Sequence, residues 1–167
     1  DEDLKTVMTA ALVAGPSHGT LTVPLAADGS FTYTPTPGYT GPDSFTYQLT
    51  DSRGALSNVA TVTLRVNAPP VANGDAYVAN LNTPLVVPAP GVKGNDSDDF
   101  DALAALVASI VTGPAHGTLT GPLAADGSFT YTPTAGYSGP DSFTYRVTDS
   151  DGLQSNIATA TIRVNAP

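Results

Sequence analysis

One twelve-residue stretch, PLAADGSFTYTP, occurs twice without a change, at Pro24–Pro35 and at Pro122–Pro133. With the same offset of 98 residues, Ala14–Pro69 aligns with Thr112–Pro167 without a gap, and 43 of the 56 aligned positions are identical. A period of this length matches a small domain and is too long for a solenoid repeat of about 20–50 residues. The sequence therefore predicts two copies of one domain in tandem.

The two copies differ in extent. The second copy carries Val71–Asp98 ahead of the shared part, and the first copy has no counterpart of this segment. We therefore assign residues 1–68 to a partial repeat that lacks its first two strands, and residues 69–167 to a complete repeat. The sequence reads as a window from a longer array. Its linker, Asn67–Pro70, should be extended and semi-rigid because it ends in two prolines.

The composition narrows the class of protein. The chain has 16 glycines and 15 prolines but a single glutamate, which favours short strands joined by turns over helices. A net charge of −9 argues against a nucleic-acid partner, because phosphate binding needs a basic face. The absence of cysteine excludes disulfides and thiolate metal sites. No apolar run approaches the roughly 18 residues of a transmembrane helix, so we expect no membrane insertion of this segment.

Alternation of apolar residues with threonine predicts strands. Phe31 and Tyr33 alternate with Thr32 and Thr34, and the second copy repeats the pattern. For the complete repeat we predict seven strands, near residues 76–80, 84–88, 103–111, 117–121, 128–133, 141–148 and 156–165. Seven short strands with regular turn signals predict an all-β fold of tandem Greek-key sandwiches, the first repeat incomplete. The predicted core of the second repeat contains Phe129, Tyr131, Phe143, Tyr145, Ile162 and Val164.

The order of motifs resembles a known family. Asn95-Asp96-x-Asp98 is followed by GPxHGT at 113–118, DGSFTYTP at 126–133 and GPDSFTY at 139–145. This series resembles the bacterial Ig-like, cadherin-like tandem repeats of large surface adhesins, to which VCBS-type repeats are related. The resemblance implies extracellular stalks that often hold Ca²⁺ within or between repeats, and it implies no enzymatic activity.

Aspartates concentrate near the predicted linker-proximal end of the second repeat. Ca²⁺ takes six to eight oxygen ligands at flexible spacing, which a loop rich in carboxylates supplies. An EF-hand is excluded, because a loop counted from Asp96 has Asp101 and Val107 where that motif needs glycine and glutamate. The alternative is a solvated acidic loop whose aspartates cap turns. The candidate calcium ligands are Asp75, Asp96, Asp98, Asp99, Asp101, Asp149 and Asp151.

The expected function is structural, and the chain is not expected to be an enzyme. His18 and His116 lie alone in turns, and no nucleophile–base pairing, phosphate-binding loop or dinucleotide motif occurs. We expect a stalk module of a bacterial cell-surface or secreted adhesin, stiffened by calcium. One alternative is a subunit of an extracellular filament, completed by strands from neighbouring chains. Another is a carbohydrate-binding cadherin-like module that uses Tyr39 and Tyr137. The expected partners are neighbouring repeats of the same chain and, by strand addition, another copy.

Overall fold

The computed structural model describes residues 8–23, 25–120 and 123–166. The chain divides into two compact units, Asp1–Asn67 and Ala68–Pro167, and each is described here by itself. Nearly all regular structure in the described residues is β-strand. The predicted all-β class is therefore confirmed.

The first unit has five strands in its described residues. They form a three-stranded sheet in the order β1-β4-β5 and a separate pair, β2-β3, and every pairing is antiparallel. The strands are β1 (Thr9–Ala14), β2 (Gly19–Val23), β3 (Thr32–Pro35), β4 (Gly41–Thr50) and β5 (Ala60–Val66).

The second unit has seven strands in two sheets, of order β6-β12-β11-β8 and β7-β10-β9. The edge strand β6 runs parallel to β12, and the other pairings are antiparallel. The chain crosses between the two sheets after β6, β7, β8 and β10, as in a Greek-key sandwich, which confirms the predicted architecture. The strands are β6 (Asp75–Asn80), β7 (Leu85–Val87), β8 (Val107–Thr112), β9 (Gly117–Leu119), β10 (Phe129–Pro133), β11 (Gly139–Thr148) and β12 (Ala158–Asn165).

The core of the second unit follows from the alternation of its strands. Inward positions of β10, β11 and β12 are buried, and the threonines between them face outward or lie partly buried. The Phe129 ring meets Phe143 on one side and Tyr77 on the other, each in an edge-to-face contact at 5.1 Å between ring centroids. All six residues predicted for the core are buried: Phe129, Tyr131, Phe143, Tyr145, Ile162 and Val164.

Two parts of the second unit differ from the predicted strands. The strand predicted from residue 103 begins at Val107, because residues 103–105 form a turn. A short 3-10 helix, Gly91–Asn95, follows β7 and buries Val92 and Lys93. Alternation alone does not reveal such a helix, since a single turn of five residues has no period to detect.

The first unit is more open than the second, although its strands match in sequence. Among the described residues it has no counterpart of β6 or β7, so one edge of β3 and one edge of β5 have no neighbouring strand there. Phe31 is 38% exposed, whereas the equivalent Phe129 is 6% exposed. Phe45, at the centre of β4, remains buried. The first unit therefore keeps the central packing of the sandwich while part of its inner face lies open.

Candidate functional site: the acidic cluster of the second unit

Two of the predicted calcium ligands meet at the hydroxyl of Tyr145. Its oxygen lies 3.0 Å from Asp75 Oδ2 and 3.1 Å from Asp96 Oδ1, and it also lies within 2.8 Å of the main-chain carbonyls of Asn73 and Val92. One hydroxyl proton serves one of these acceptors at a time. The two carboxylates therefore lie close together in a partly buried space that has few donors.

The electrostatics of this pair follow from its burial. Burial raises the pKa of Asp75 to about 6, the charge of Asp96 adds to this rise, and the hydrogen bond from Tyr145 opposes it. Burial also raises the pKa of Asp96, against hydrogen bonds from Asn73 and Tyr145. Loss of solvent and like charge both favour the protonated form of a carboxyl group. The pair therefore favours either a shared proton or a cation.

A second group of predicted ligands joins two loops. Asp98 Oδ1 accepts hydrogen bonds from the main-chain N–H groups of Phe100 and Asp101. Asp101 in turn accepts from the N–H and the hydroxyl of Ser150, at 2.6 and 3.0 Å. This contact joins the loop after the 3-10 helix to the turn between β11 and β12.

The remaining predicted ligands lie in turns. Asp149 is buried and its Oδ1 accepts from the N–H groups of Asp151 and Leu153, which closes the turn between β11 and β12. Asp99 and Asp151 are exposed. The contacts of Asp149 are those of an aspartate that caps a turn, as in the alternative of a solvated acidic loop.

The fit of this cluster to a cation rests on two carboxylate oxygens. Asp96 Oδ2 and Asp98 Oδ2 are buried and have no hydrogen-bond partner in the described part of the chain. Unpaired anionic oxygens of this kind are the ligands that Ca²⁺ prefers. Across residues 8–23, 25–120 and 123–166, however, no three acidic or histidine side chains are grouped closely enough to hold a metal ion by themselves.

A further carboxylate of this unit, Asp141, was not among the residues that the sequence singled out. It is buried and accepts from the N–H groups of Ala115, His116 and Ser142 at 2.9–3.0 Å, and from the Tyr131 hydroxyl at 2.7 Å. Burial opposes ionisation, yet these bonds hold the pKa of Asp141 below its ordinary value. The carboxylate thus fixes the loop before β9 to strands β10 and β11.

The first unit has the same arrangement around Asp43. This carboxylate accepts from Ser17 N, His18 N, Ser44 N and the Tyr33 hydroxyl. Burial works against the charge of Asp43, but the hydrogen bonds lower its pKa to about 2. The signal in the sequence is the heptapeptide GPDSFTY, which is identical at 41–47 and 139–145.

In each unit the ring of a histidine stacks on the ring of a turn tyrosine. The rings of His18 and Tyr39 stack with centroids 4.1 Å apart, and those of His116 and Tyr137 stack at 4.2 Å. The hydroxyl of Tyr137 donates to the Pro140 carbonyl at 2.6 Å, and Tyr39 makes the equivalent bond. Each pair therefore stabilises the turn before a long strand, which is β4 in the first unit and β11 in the second.

None of the helices in the described residues has the length and apolar character needed to cross a membrane. A curated relative, integrin beta-like protein A of Dictyostelium discoideum, is 36% identical over 140 residues, which is 70% of this chain but 7% of that protein.

Solved structures of similar form include human protocadherin-24 EC1-2, with a TM-score of 0.45 and 15% identity over 96% of this chain and 82% of that one. Drosophila N-cadherin EC1-3 has a TM-score of 0.43 and 10% identity over 96% and 55% of the two chains. The endo-fucoidan hydrolase MfFcnA4 has a TM-score of 0.43 and 20% identity over 96% and 24%.

The match to a known protein family covers almost the whole chain. The profile of the bacterial cadherin-like domain matches twice, over residues 1–68 and residues 67–166. The second match contains all seven strands of the second unit, and the first contains the five strands of the first unit. The chain therefore belongs to the bacterial cadherin-like domain family and carries two of its domains in tandem.

Proposed function

We propose that this chain is a spacer segment of an exported adhesion protein, in which consecutive cadherin-like domains extend the distance between an anchor and a binding end. The observation that carries the proposal is the tandem itself, because two domains of one family with 43 identical positions in 56 follow each other with a short proline-containing junction. The similarity to an integrin beta-like protein supports an adhesion role on the outside of a cell. The role is mechanical and needs no catalytic group.

The carbohydrate-binding alternative receives no support from the tyrosines that suggested it. Tyr39 and Tyr137 stack on histidines and bond to main-chain carbonyls of their own turns. A sugar needs an exposed aromatic face and free polar groups around it. We therefore keep the spacer function ahead of sugar recognition.

The spacer function is tested with chains of two, four and six complete repeats. Strand β11 has 10 residues, which corresponds to about 33 Å of extended backbone. If repeats join end to end, small-angle X-ray scattering will show a maximum dimension that grows by at least about 33 Å per added repeat. Growth with only the cube root of chain length would mean that the repeats collapse on one another, and the spacer function would be wrong.

Calcium is the second part of the proposal. Asp96 and Asp98, with their buried unpaired oxygens, would hold the ion, and Asp75 lies beside Asp96 at the Tyr145 hydroxyl. A bound cation would add positive charge beside these carboxylates, of which Asp96 already feels the charge of Lys93. Because it binds the folded unit, it stabilises that unit by about 2.7 kcal/mol at a hundredfold excess over its dissociation constant.

The test of calcium compares melting of the chain in millimolar CaCl₂ and in EGTA. We expect a higher melting temperature of the second unit in CaCl₂, and loss of this difference in a variant with Asp96→Asn and Asp98→Asn. Asp126→Asn is the matched control, because Asp126 is an exposed turn aspartate that accepts from Ser128. Equal melting of the unaltered chain in both buffers, with no heat of binding in calorimetry, would show that the acidic loop only caps turns.

A further inference from the structure

A wide cleft crosses the outer face of the four-stranded sheet of the second unit. Its volume is about 1010 Å³, at the upper end of the roughly 300–1,000 Å³ that is usual for small-molecule sites. Strands β6, β12 and β11 form its floor, and the loop 113–116 between β8 and β9 borders one side. The second unit has all seven strands, so this cleft belongs to the surface of a finished sandwich.

The register of the sheet places one cation and two hydroxyl groups together in the cleft. Arg163 on β12 lies between Val78 on β6 and Pro140 on β11, and all three residues are exposed. Two residues earlier on β12, Thr161 pairs with Ser142 of β11. Alternate residues of a strand point to the same face, so these five side chains share the outer face of the sheet.

Arg163 carries the positive charge of this cleft. It forms no ion pair with any residue that the structure describes. The carboxylate among the lining residues, Asp141, has a side chain that is 2% exposed, and four hydrogen bonds already occupy its oxygens. A guanidinium group binds a carboxylate through two parallel N–H···O bonds. Because salt screens charges beyond about 8 Å, Arg163 can attract such a group although the whole chain is acidic.

His116 adds a ring with a fixed position to the border of the cleft. Tyr137 stacks on its imidazole with centroids 4.2 Å apart, and Nδ1 lies 3.9 Å from Asp141 Oδ1. The histidine side chain is nevertheless half exposed. Tyr137 therefore acts on this cleft by holding the histidine ring, without being a binding surface itself.

The hydroxyl groups of the floor suit a ligand that carries hydroxyl groups of its own. Thr161 donates its proton to the Asp75 carbonyl at 2.9 Å and keeps its oxygen as an acceptor, while Ser142 can donate and accept. A peptide is less suited to this floor, because β12 at its centre is already paired with a strand on both sides. A sugar ring needs no main-chain partner.

We propose that this cleft binds a uronate unit of an acidic polysaccharide. The carboxylate of the sugar lies against the Arg163 guanidinium, and its ring hydroxyls bond to Ser142 and Thr161. The C–H face of the sugar packs on Val78 and Pro140, which supply the apolar part of the site. This binding is additional to the spacer function and requires no calcium.

The binding test uses the whole isotope-labelled chain and trigalacturonate, in EGTA so that calcium cannot join the carboxylates of sugar and protein. Nuclear magnetic resonance should show saturable shifts of the main-chain amides of Val78, Ser142 and Arg163. Fully methyl-esterified trigalacturonate keeps the hydroxyl groups of the sugar without its charge, and it should bind at least tenfold more weakly. A tetraglutamate peptide should also bind at least tenfold more weakly.

Two matched pairs of variants locate the site. Arg163→Gln should weaken binding at least tenfold, whereas Arg146→Gln removes the same charge outside the cleft, where Arg146 donates to Gln154, and should change affinity less than twofold. Val78→Glu sets a carboxylate opposite Arg163 in the sheet register and should also weaken binding at least tenfold. Val86→Glu adds the same charge at an exposed position of β7 outside the cleft and should have no effect.

Several results would overturn the proposal. These are no saturable binding by the unaltered chain, equal affinity for the methyl ester, equal effects within either pair of variants, or amide shifts centred outside the cleft. Tetraglutamate binding as tight as that of trigalacturonate would also overturn it, because the cleft would then accept acidic peptides as well as sugars. Melting temperatures of the four variants show whether each remains folded, and the Val78 pair decides the question if Arg163→Gln unfolds.

Discussion

Replacement of Asp141 by asparagine tests how strongly one carboxylate holds the second unit together. The two oxygens of Asp141 accept four hydrogen bonds, from three main-chain N–H groups and the Tyr131 hydroxyl. Asparagine keeps one acceptor oxygen and replaces the other by an NH₂ group. Asp141→Asn therefore sets a donor against His116 N–H or Ala115 N–H, and it removes the charge from all four bonds.

The expected cost follows from the bonds that are lost. A hydrogen bond to a charged group contributes about 1.5–3 kcal/mol, and a buried donor left unpaired costs a similar amount. With the Tyr131 hydroxyl free to rotate and accept, one N–H group loses its partner and the other bonds weaken. We expect a loss of about 3 kcal/mol in the free energy of unfolding of the second unit. In a unit of this size that lowers the melting temperature by at least about 12 °C.

The assay is differential scanning calorimetry of the whole chain, with tyrosine fluorescence as a second probe because the chain has no tryptophan. Asp141→Asn should lower the transition of the second unit, and Asp43→Asn should lower that of the first, which assigns the two transitions. Asp126→Asn is the control, since Asp126 also accepts two hydrogen bonds but at an exposed turn.

The reasoning would be refuted if Asp141→Asn and Asp126→Asn lowered the melting temperature by the same few degrees. Equal effects would mean that the burial and number of the Asp141 bonds add nothing to an ordinary turn interaction. Unchanged melting of the first unit in the Asp141→Asn chain is also required, because all four of these hydrogen bonds come from donors of the second unit.

Two further predictions concern the second unit. Phe143→Ala should lower the free energy of unfolding in urea by about 3–5 kcal/mol, because the ring is 1% exposed. The control Val86→Ala, at a side chain that is 69% exposed, should change it by less than about 0.5 kcal/mol. Similar values for the two variants would contradict the assigned core. In EGTA, the free energy of unfolding should fall as the pH rises from about 4 to 6. The pKa of Asp75 is raised to about 6 in the folded unit and lies near 3.9 in the unfolded chain. Over this interval the folded unit therefore loses the proton that stabilises it relative to the unfolded chain. Asp75→Asn should reduce this slope in a titration of melting temperature, and an unchanged slope would exclude Asp75 as its source.

Strands β10, β11 and β12 were predictable because each has a period of two. Phe143, Tyr145 and Val147 alternate with threonine and arginine, and the structure buries all three. The same rule placed Ile162 and Val164 in the core. The alternation shows which side chains of a strand are buried, and it can be recognised within the sequence of that strand alone.

The position of the 3-10 helix Gly91–Asn95 was harder to predict from sequence. Val92 and Lys93 lie in a sequence rich in glycine and proline, which reads as a surface loop, yet both are buried. Their burial depends on Gly127, 35 residues away in the chain, whose carbonyl accepts from Val92 N. A contact of this kind depends on tertiary packing and leaves no periodic pattern in the sequence.

The contacts of the acidic residues were also not predictable from the sequence alone. Their clustering in sequence was apparent, but the separation into a pair at Tyr145 and a bridge to Ser150 depends on how three loops meet. Asp141 was overlooked because a single aspartate beside a proline reads as a turn residue. Its role as an acceptor of four bonds appears only when β10, β11 and the loop before β9 are assembled.

The two turns of identical sequence, at Asp28-Gly29 and Asp126-Gly127, show which features depend on the local sequence and which depend on tertiary packing. Ala26 N bonds to the Ser30 carbonyl at 2.8 Å, and Ala124 N bonds to the Ser128 carbonyl at 3.1 Å. Asp28 and Asp126 make the same two bonds to the following serine. The hairpin thus has one conformation in both units, although the phenylalanine that follows it is 38% exposed in the first unit and 6% exposed in the second.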